Sequence, residues 1–182
     1  MNVVDLLKKD HQTVSELFSQ FEQASGSEQK RKILDEIVRD LSVHAAIEEE
    51  VFYPAVKEAL GERGDELVSE SLREHGRMKQ LLADLDTASP DDPGFEANVV
   101  RLKQDVEHHV QEEEGEVMPE LSRTVESGVL DDLGREAEQA KRRAPTRPHP
   151  HAPDQPPGVK AAGPLAAILD RIRDAISGRR AS

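Results

Sequence analysis

Four segments of the chain share one pattern: apolar residues recur at steps of three and four, and a histidine interrupts each apolar row. Steps of three and four place side chains on one face of an α-helix. The pattern therefore predicts four amphipathic helices, each carrying an imidazole on the face that packs inward. These histidines are His11, His44, His75 and His109.

The breaks between the segments are short, so consecutive helices must run antiparallel. The first break is SGS at 25–27, and the third is ASPDDPG at 88–94. Between them, Gly61 and Gly64 close the second segment. Pro54 and Pro119 fall late in the second and fourth segments, where proline is expected to kink or end a helix. A weaker fifth helix is predicted at about 129–143. The predicted fold is an all-α, antiparallel up-down-up-down four-helix bundle.

The composition agrees with this class, with 34% charged residues and only 3% aromatic residues. Cysteine is absent, which excludes disulfides, thiolate metal sites and thiol nucleophiles. The net charge of −13 disfavours a nucleic-acid partner. Charges interrupt every apolar stretch before it reaches the length of a membrane span. We therefore expect a soluble, cytoplasmic protein without a transmembrane segment.

The chain divides into three parts by composition. Residues 1–143 hold the bundle, and residues 144–163 form a proline-rich linker that we expect to be disordered. Residues 164–178 form a short amphipathic helix. Its apolar stripe comprises Leu165, Ile168, Leu169, Ile172 and Ile176. That stripe is suited to contact its own bundle, a second copy, another protein or a membrane surface.

An internal repeat adds two glutamates to the histidine pattern. HAAIEEEVFYP and HVQEEEGEVMP align, so that Glu48 follows His44 by four residues and Glu113 follows His109 by four. Residues four apart share a helix face. At about 1.5 Å of rise per residue, the four histidines lie within about one turn of the same level in an antiparallel bundle. The sequence thus predicts one polar layer of six residues inside the core.

Burial of this layer requires a positive partner, because two unpaired buried carboxylates cost several kcal/mol each. Neither Lys nor Arg lies on the predicted inner faces. Imidazole and carboxylate without thiolate suit iron, manganese or zinc, and two carboxylates between helices favour a dinuclear iron centre, with zinc second. We expect His108 and the neighbouring glutamates to face water, although Glu112 or Glu116 could turn inward as an extra ligand. Those neighbours are Glu49, Glu50, Glu112 and Glu114.

These motifs resemble the hemerythrin and HHE cation-binding family, in which helices one and three carry a His and helices two and four carry H-x-x-x-E. The matching phrases are DHQTVSELF, HAAIEEEVFYP, EHGRMKQLL and HHVQEEEGEVMP, within about residues 1–125. The resemblance implies two non-haem iron ions, one on His11 and His44 and the other on His75 and His109. It implies that Glu48 and Glu113 bridge the two ions.

The resemblance also implies a departure at position 79. Oxygen-carrying members add a histidine four residues after the one on helix three, and this chain has Lys79 there. Each iron would then keep an open position, which favours redox reactivity or sensing over oxygen storage. The first hypothesis is a di-iron protein that binds or reacts with dioxygen, peroxide or nitric oxide. The alternatives are a peroxide-decomposing or oxidase enzyme, and an iron or redox sensor that signals through the C-terminal helix.

Overall fold

The computed structural model describes residues 1–149 and 164–180, without the side chains of the last two, and all regular structure in these ranges is helical. Most of the predicted linker, residues 150–163, lies outside the described residues. Among the helices of the described ranges, none is both long enough and apolar enough to cross a membrane.

Four antiparallel rods form the bundle, as the sequence predicts. The helices are α1 (Val3–Gln23), α2 (Ser27–Ile47), α3 (Tyr53–Leu60), α4 (Glu62–Thr87), α5 (Phe95–Glu112), α6 (Met118–Thr124), α7 (Ser127–Lys141) and α8 (Pro164–Arg180). A π-helical turn at Glu48–Phe52 joins α2 to α3, and a second at Glu113–Val117 joins α5 to α6. The rods are therefore α1, α2 with α3, α4, and α5 with α6.

The two prolines do not end their helices. Pro54 and Pro119 each lie just after a π-helical turn, and the helical chain continues to Leu60 and Thr124. In the first turn the N–H of Tyr53 donates to the carbonyl of Glu48, five residues back. The extra residue in each turn accommodates a proline that cannot donate to the ladder of an α-helix.

One glycine prediction needs correction. Gly61 does separate two helices, with a φ of +61° that favours glycine. Gly64, which was expected to help close the second segment, lies inside α4 instead. A Cβ at Gly64 would lie 2.5 Å from the carbonyl oxygen of Val56. The glycine is therefore needed for the close approach of α3 and α4.

The interior consists of two apolar clusters with the predicted polar layer between them. One cluster fills the end formed by α3, α6, α7, α8 and the start of α1, and includes Val51, Phe52 and Leu121. The other fills the opposite end and includes Phe18, Leu34 and Leu102. Each histidine predicted to face inward falls between members of the two clusters along its helix. The layer is thus closed on both sides by apolar side chains.

The predicted C-terminal amphipathic helix is present as α8 and folds back onto the bundle. It packs against α3 and α7, with Leu165, Ile168 and Ile172 buried in the first cluster. Arg173 donates to both carboxylate oxygens of Glu58, at 2.9 Å each. The apolar stripe of α8 therefore contacts its own domain.

Candidate metal centre

All six residues predicted to face inward lie in one buried layer, each at most 6% exposed. The histidines form two pairs. The Nε2 atoms of His11 and His44 are 3.0 Å apart, and those of His75 and His109 are 3.4 Å apart. In each pair, two side chains from adjacent rods thus point their Nε2 atoms toward a common point.

Carboxylates hold the outer nitrogens of three of these rings. His11 Nδ1 lies 2.8 Å from Glu114 and His75 Nδ1 lies 2.8 Å from Glu49. His109 Nδ1 lies 2.9 Å from Glu74. Because an ionised carboxylate only accepts hydrogen bonds, each of these Nδ1 atoms donates its proton. In the neutral ring the inward Nε2 atom then carries a lone pair.

This arrangement fits metal ions. In the pair of His75 and His109, the two inward lone pairs of the neutral rings cannot form a hydrogen bond with each other, but both can bind one cation. At metal–nitrogen distances of about 2.0–2.1 Å, two ligands of one ion lie about 3.0–3.4 Å apart. The two Nε2–Nε2 distances, 3.0 and 3.4 Å, fall in this range. Histidines oriented by carboxylates on the opposite ring nitrogen are the usual arrangement at metal sites.

Glu48 lies between the two histidine pairs. One of its oxygens is 2.9 Å from His44 Nε2, and the other is 3.2 Å from His75 Nε2. Glu113 lies nearer the first pair, with an oxygen 3.4 Å from His11 Nε2. Two sets of potential ligand atoms result, and they share Glu48. They are His11, His44, Glu48 and Glu113, and Glu48, His75 and His109.

Within the described part of the chain, the four oxygens of Glu48 and Glu113 are all buried, and none accepts a hydrogen bond of normal geometry despite the nearby imidazoles. Burial and the charge of Glu48 raise the pKa of Glu113. Burial would also raise the pKa of Glu48, but attraction from His44 and contacts to other histidines lower it well below its usual value. Cations placed among these oxygens would supply the charge they lack.

The histidines respond in the opposite direction. Burial alone would lower the pKa of His11, but contacts to Glu113 and Glu48 outweigh it and raise the pKa to about 10. For His75, contacts to Glu48 and Glu49 likewise overcome burial and raise the pKa to about 9. Without metal, protons would therefore occupy the inward nitrogens. Metal binding must displace them.

Tyr53 makes the layer asymmetric, and the sequence pattern gave no indication of it. Its hydroxyl lies 3.0 Å from His75 Nε2, and the side chain is 2% exposed. Burial and the charges of Glu48 and Glu113 raise its pKa well above the usual value. In the internal repeat, Met118 occupies the equivalent position. A neutral phenol therefore lies beside the second histidine pair.

Two of the acidic residues expected to face water do not. Glu49 and Glu114 accept hydrogen bonds from His75 and His11, with side chains 11% and 33% exposed. Glu50 and Glu112 are exposed as predicted, at 41% and 46%. Two of the three carboxylates that orient the histidines therefore come directly after the inward glutamates, and the third, Glu74, comes directly before His75.

Lys79, at the position of the departure noted above, also belongs to the surroundings of the layer. Its Nζ lies 2.7 and 2.8 Å from the two oxygens of Glu49. Glu49 thus joins the ammonium group to His75. The side chain of Lys79 is 13% exposed, so this ion pair is mostly buried.

A cavity of about 20 Å³ adjoins the four histidines on the side of the second apolar cluster. Its remaining walls are mostly apolar and are formed by Val14, Leu41, Ala45, Met78, Lys79, Leu82, Val106 and Val110. This volume accommodates a molecule of about the size of one water.

Comparison with known proteins places this geometry in a family. The family described as hemerythrin HHE cation binding domain matches residues 2–121. A hemerythrin-like protein from Schizosaccharomyces pombe is 27% identical over 172 residues, which cover 94% of this chain and 85% of that protein. A DNA nickase from Nostoc is 33% identical over 141 residues, or 78% of this chain but 39% of that protein.

The fold has a counterpart among solved structures. The crystal structure of a hemerythrin HHE cation binding domain-containing protein from Mycobacterium kansasii superposes with a TM-score of 0.66 and 24% identity. The match covers 79% of this chain and 89% of that one. With the family match over most of the chain and a buried histidine and glutamate layer suited to cations, the protein belongs to the hemerythrin HHE cation-binding family.

Proposed function

We propose that the buried layer holds two iron ions, one on His11 and His44 and one on His75 and His109. Glu48 and Glu113 would join them. The observation that supports this most strongly is the facing of two pairs of Nε2 atoms around carboxylate oxygens without hydrogen-bond partners. A ligand set of imidazole and carboxylate without thiolate suits iron, and leaves zinc and manganese as the alternative metals.

We propose further that the centre binds or reacts with a small oxidant: dioxygen, peroxide or nitric oxide. When bound, iron supplies an open coordination position and electron transfer to such a molecule. The cavity beside the histidines supports this assignment, because about 20 Å³ excludes larger organic substrates. Its apolar walls, such as Leu41 and Val106, would also exclude most water.

A second hollow adjoins this cavity, and we propose it as the route by which a small ligand enters from the surface. It has a volume of about 100 Å³, and its walls include Pro145, Arg147 and His149. It shares Leu41, Ala45, Lys79 and Leu82 with the inner cavity. A small ligand following this route would pass the pair formed by Lys79 and Glu49. These two side chains would orient a polar oxidant and keep His75 fixed.

Lys79 also supports reactivity over reversible storage. A lysine paired with Glu49 is not free to act as a third nitrogen ligand. Both ions would then have the same count of protein nitrogens and an open position each. The tyrosine hydroxyl beside His75 adds a proton donor on one side only. We therefore place the protein in redox reactivity or stress response.

The test uses the full chain loaded with iron. After anaerobic reduction, addition of dioxygen, peroxide or nitric oxide should change the absorbance in proportion to iron. His75→Ala should abolish the change, and Gln80→Ala, an exposed substitution on the same helix, should retain it. Repeated turnover of peroxide would assign an enzyme, and a single stoichiometric change would assign binding. An iron-loaded protein without any spectral response would contradict the proposal.

A second candidate, an iron or redox sensor, is favoured by the position of α8. Tyr53 contacts His75 at one end and belongs to the same apolar cluster as Ile168 and Ile172. A change at the second histidine pair therefore has a packed path to α8. Removal of residues 145–182 should alter the response of oligomeric state to iron if the helix signals. The same oligomeric state with and without iron, in both chains, would refute this candidate.

We propose no nucleic-acid activity from the Nostoc relative. This chain spans 39% of that DNA nickase, so the remaining part of that protein has no counterpart in the match. A net charge of −13 also opposes binding to a phosphate backbone.

A further inference from the structure

The helix α5 carries two overlapping H-x-x-x-E motifs. His109 and Glu113 belong to the buried layer, whereas His108 and Glu112 begin one residue earlier and face outward. The side chains of His108 and Glu112 are 59% and 46% exposed. Residues four apart lie on one helix face, so the outer pair repeats the spacing of the inner pair in a solvent-accessible position.

A buried carboxylate from α4 completes the outer pair. One oxygen of Glu74 accepts from His109 Nδ1 at 2.9 Å, and the other lies 3.4 Å from His108 Nε2. The side chain of Glu74 is only 4% exposed. Among the residues that the structure describes, no hydrogen bond reaches its outward oxygen, and the guanidinium of Arg77, 53% exposed, lies 3.7 Å from it. This carboxylate is therefore aimed from the interior toward the exposed pair.

The spacing of the three groups suits a single cation. His108 Nε2 lies 3.4 Å from an oxygen of Glu74 and 3.4 Å from an oxygen of Glu112. Ligands of a tetrahedral ion at about 2.0–2.1 Å lie about 3.4 Å from each other. One potential ligand atom from each of the three side chains lies within 4.8 Å of the other two. Exposure of His108 and Glu112 leaves the remaining positions to water.

The other half of the repeat lacks this arrangement. Val43 and Ile47 occupy the positions equivalent to His108 and Glu112, and they are 9% and 0% exposed. There α7 packs against α1 and α2. The equivalent face of α4 and α5 stays open at the motif. Among the described residues, this arrangement therefore has no counterpart at the equivalent positions of the other half of the repeat.

We propose that Glu74, His108 and Glu112 form an outer, exchangeable site for one divalent cation, such as Zn²⁺, Mn²⁺ or Fe²⁺. This site is distinct from the buried centre and does not depend on what the centre does. It is linked to the centre through Glu74, whose two oxygens contact one histidine of each site. A cation on the outer oxygen would draw charge from Glu74 and weaken its hold on the proton of His109.

Titration of the iron-loaded full chain with Zn²⁺, followed by calorimetry, tests the site. The wild-type protein should take up one Zn²⁺ per chain that dialysis against a chelator removes while the iron stays. His108→Ala and Glu112→Gln should each lower the affinity for Zn²⁺ at least about tenfold. The matched control is Gln111→Ala, an exposed neighbour on α5, which should bind as the wild type does.

The absorbance of the iron centre gives an independent readout. Zn²⁺ should shift the spectrum of the wild-type protein and of the control, and should leave the spectrum of His108→Ala unchanged. Equal Zn²⁺ binding by the wild type and His108→Ala would overturn the proposal, because the three groups would then form only an ion-pair cluster. Absence of any exchangeable Zn²⁺ in the wild-type protein would overturn it as well.

Discussion

Substitution of Glu49 tests the idea that carboxylates around the layer prepare the histidines for metal. Glu49→Gln replaces the charged carboxylate that accepts from His75 Nδ1 at 2.8 Å, and that pairs with Lys79, by a neutral amide with a single acceptor oxygen. Loss of such an orienting group typically reduces metal affinity 10–100-fold. The side chain is only 11% exposed, so water screens the lost charge poorly and the loss of affinity should fall within this range. The corresponding free energy is about 1.4–2.7 kcal/mol.

Two measurements follow from this magnitude. Competition with a coloured chelator should show the weaker affinity directly. With saturating metal, the linked stabilisation should decrease by the same free energy, which lowers the Tm by about 3–10 °C for a chain of this length. The Tm of the metal-free variant must be subtracted, because loss of the partner of Lys79 also affects stability without metal.

The neighbouring glutamate provides the control. Glu50→Gln makes the same change of charge one residue away, at a side chain that is 41% exposed and paired with Arg143. It should leave metal affinity unchanged. Glu114→Gln should give an intermediate loss, because Glu114 holds His11 but is 33% exposed. Equal affinities for the variants at 49 and 50 would refute the reasoning.

Three further predictions concern stability. Gly64→Ala should destabilise the fold by about 1–3 kcal/mol in urea unfolding, because the added Cβ meets the backbone of α3. Gly76→Ala, which has open space on the same helix, should stabilise the fold by up to about 1 kcal/mol. Equal effects of the two substitutions would contradict the packing of α3 on α4. The Tm of the metal-free protein should decrease as the pH rises from about 6.5 to 10. Folding raises the pKa of His11 to about 10 and of His75 to about 9, so their stabilisation is complete below the pKa of the unfolded chain and is lost above the pKa of the folded one. A Tm that does not change with pH would contradict these shifts. Ile172→Ala should cost about 2–5 kcal/mol if α8 packs on the bundle as described, and a cost near zero would show that α8 is not docked.

The inward layer was predictable because its signal is local and periodic. A step of three and four fixes which residues share a helix face, and helix lengths fix their level in an antiparallel bundle. Those two rules brought His11, His44, His75 and His109 to one layer with their glutamates. These rules do not predict the asymmetric position of Glu113, which lies nearer the first histidine pair than the second.

The surroundings of the layer were not predictable in the same way, because the helices are not α-helical there. In a π-helical turn each residue rotates by less than the 100° of an α-helix. Glu49 and Glu114 therefore stay closer to the inward face than the α-helical pattern predicts. Tyr53 lies five residues after Glu48, where the wider turn brings it back toward the layer. The prolines that follow are a visible signal, but proline by itself predicts a kink or an end of a helix and not a π-helical turn.

The self-contact of α8 shows a different limit. Its apolar stripe indicated that some surface must cover it, and periodicity carries no information about which surface. The structure supplies the surface as α3 and α7, with Arg173 and Glu58 in register. Such long-range pairing depends on three-dimensional shape and not on local pattern.

The two π-helical turns make the geometry of the polar layer depend on the exact number of residues between the flanking helices. Each turn contains one residue more than an α-helical path between the same flanks would need. Deletion of one residue within Glu48–Phe52 would therefore let α2 and α3 join as a straight helix, with both flanks still facing their present neighbours. The bundle could survive this loss while Tyr53 and Glu49 rotated away from His75. A gap of a single residue at these turns would therefore separate relatives that keep the geometry of the polar layer from relatives that keep only the scaffold.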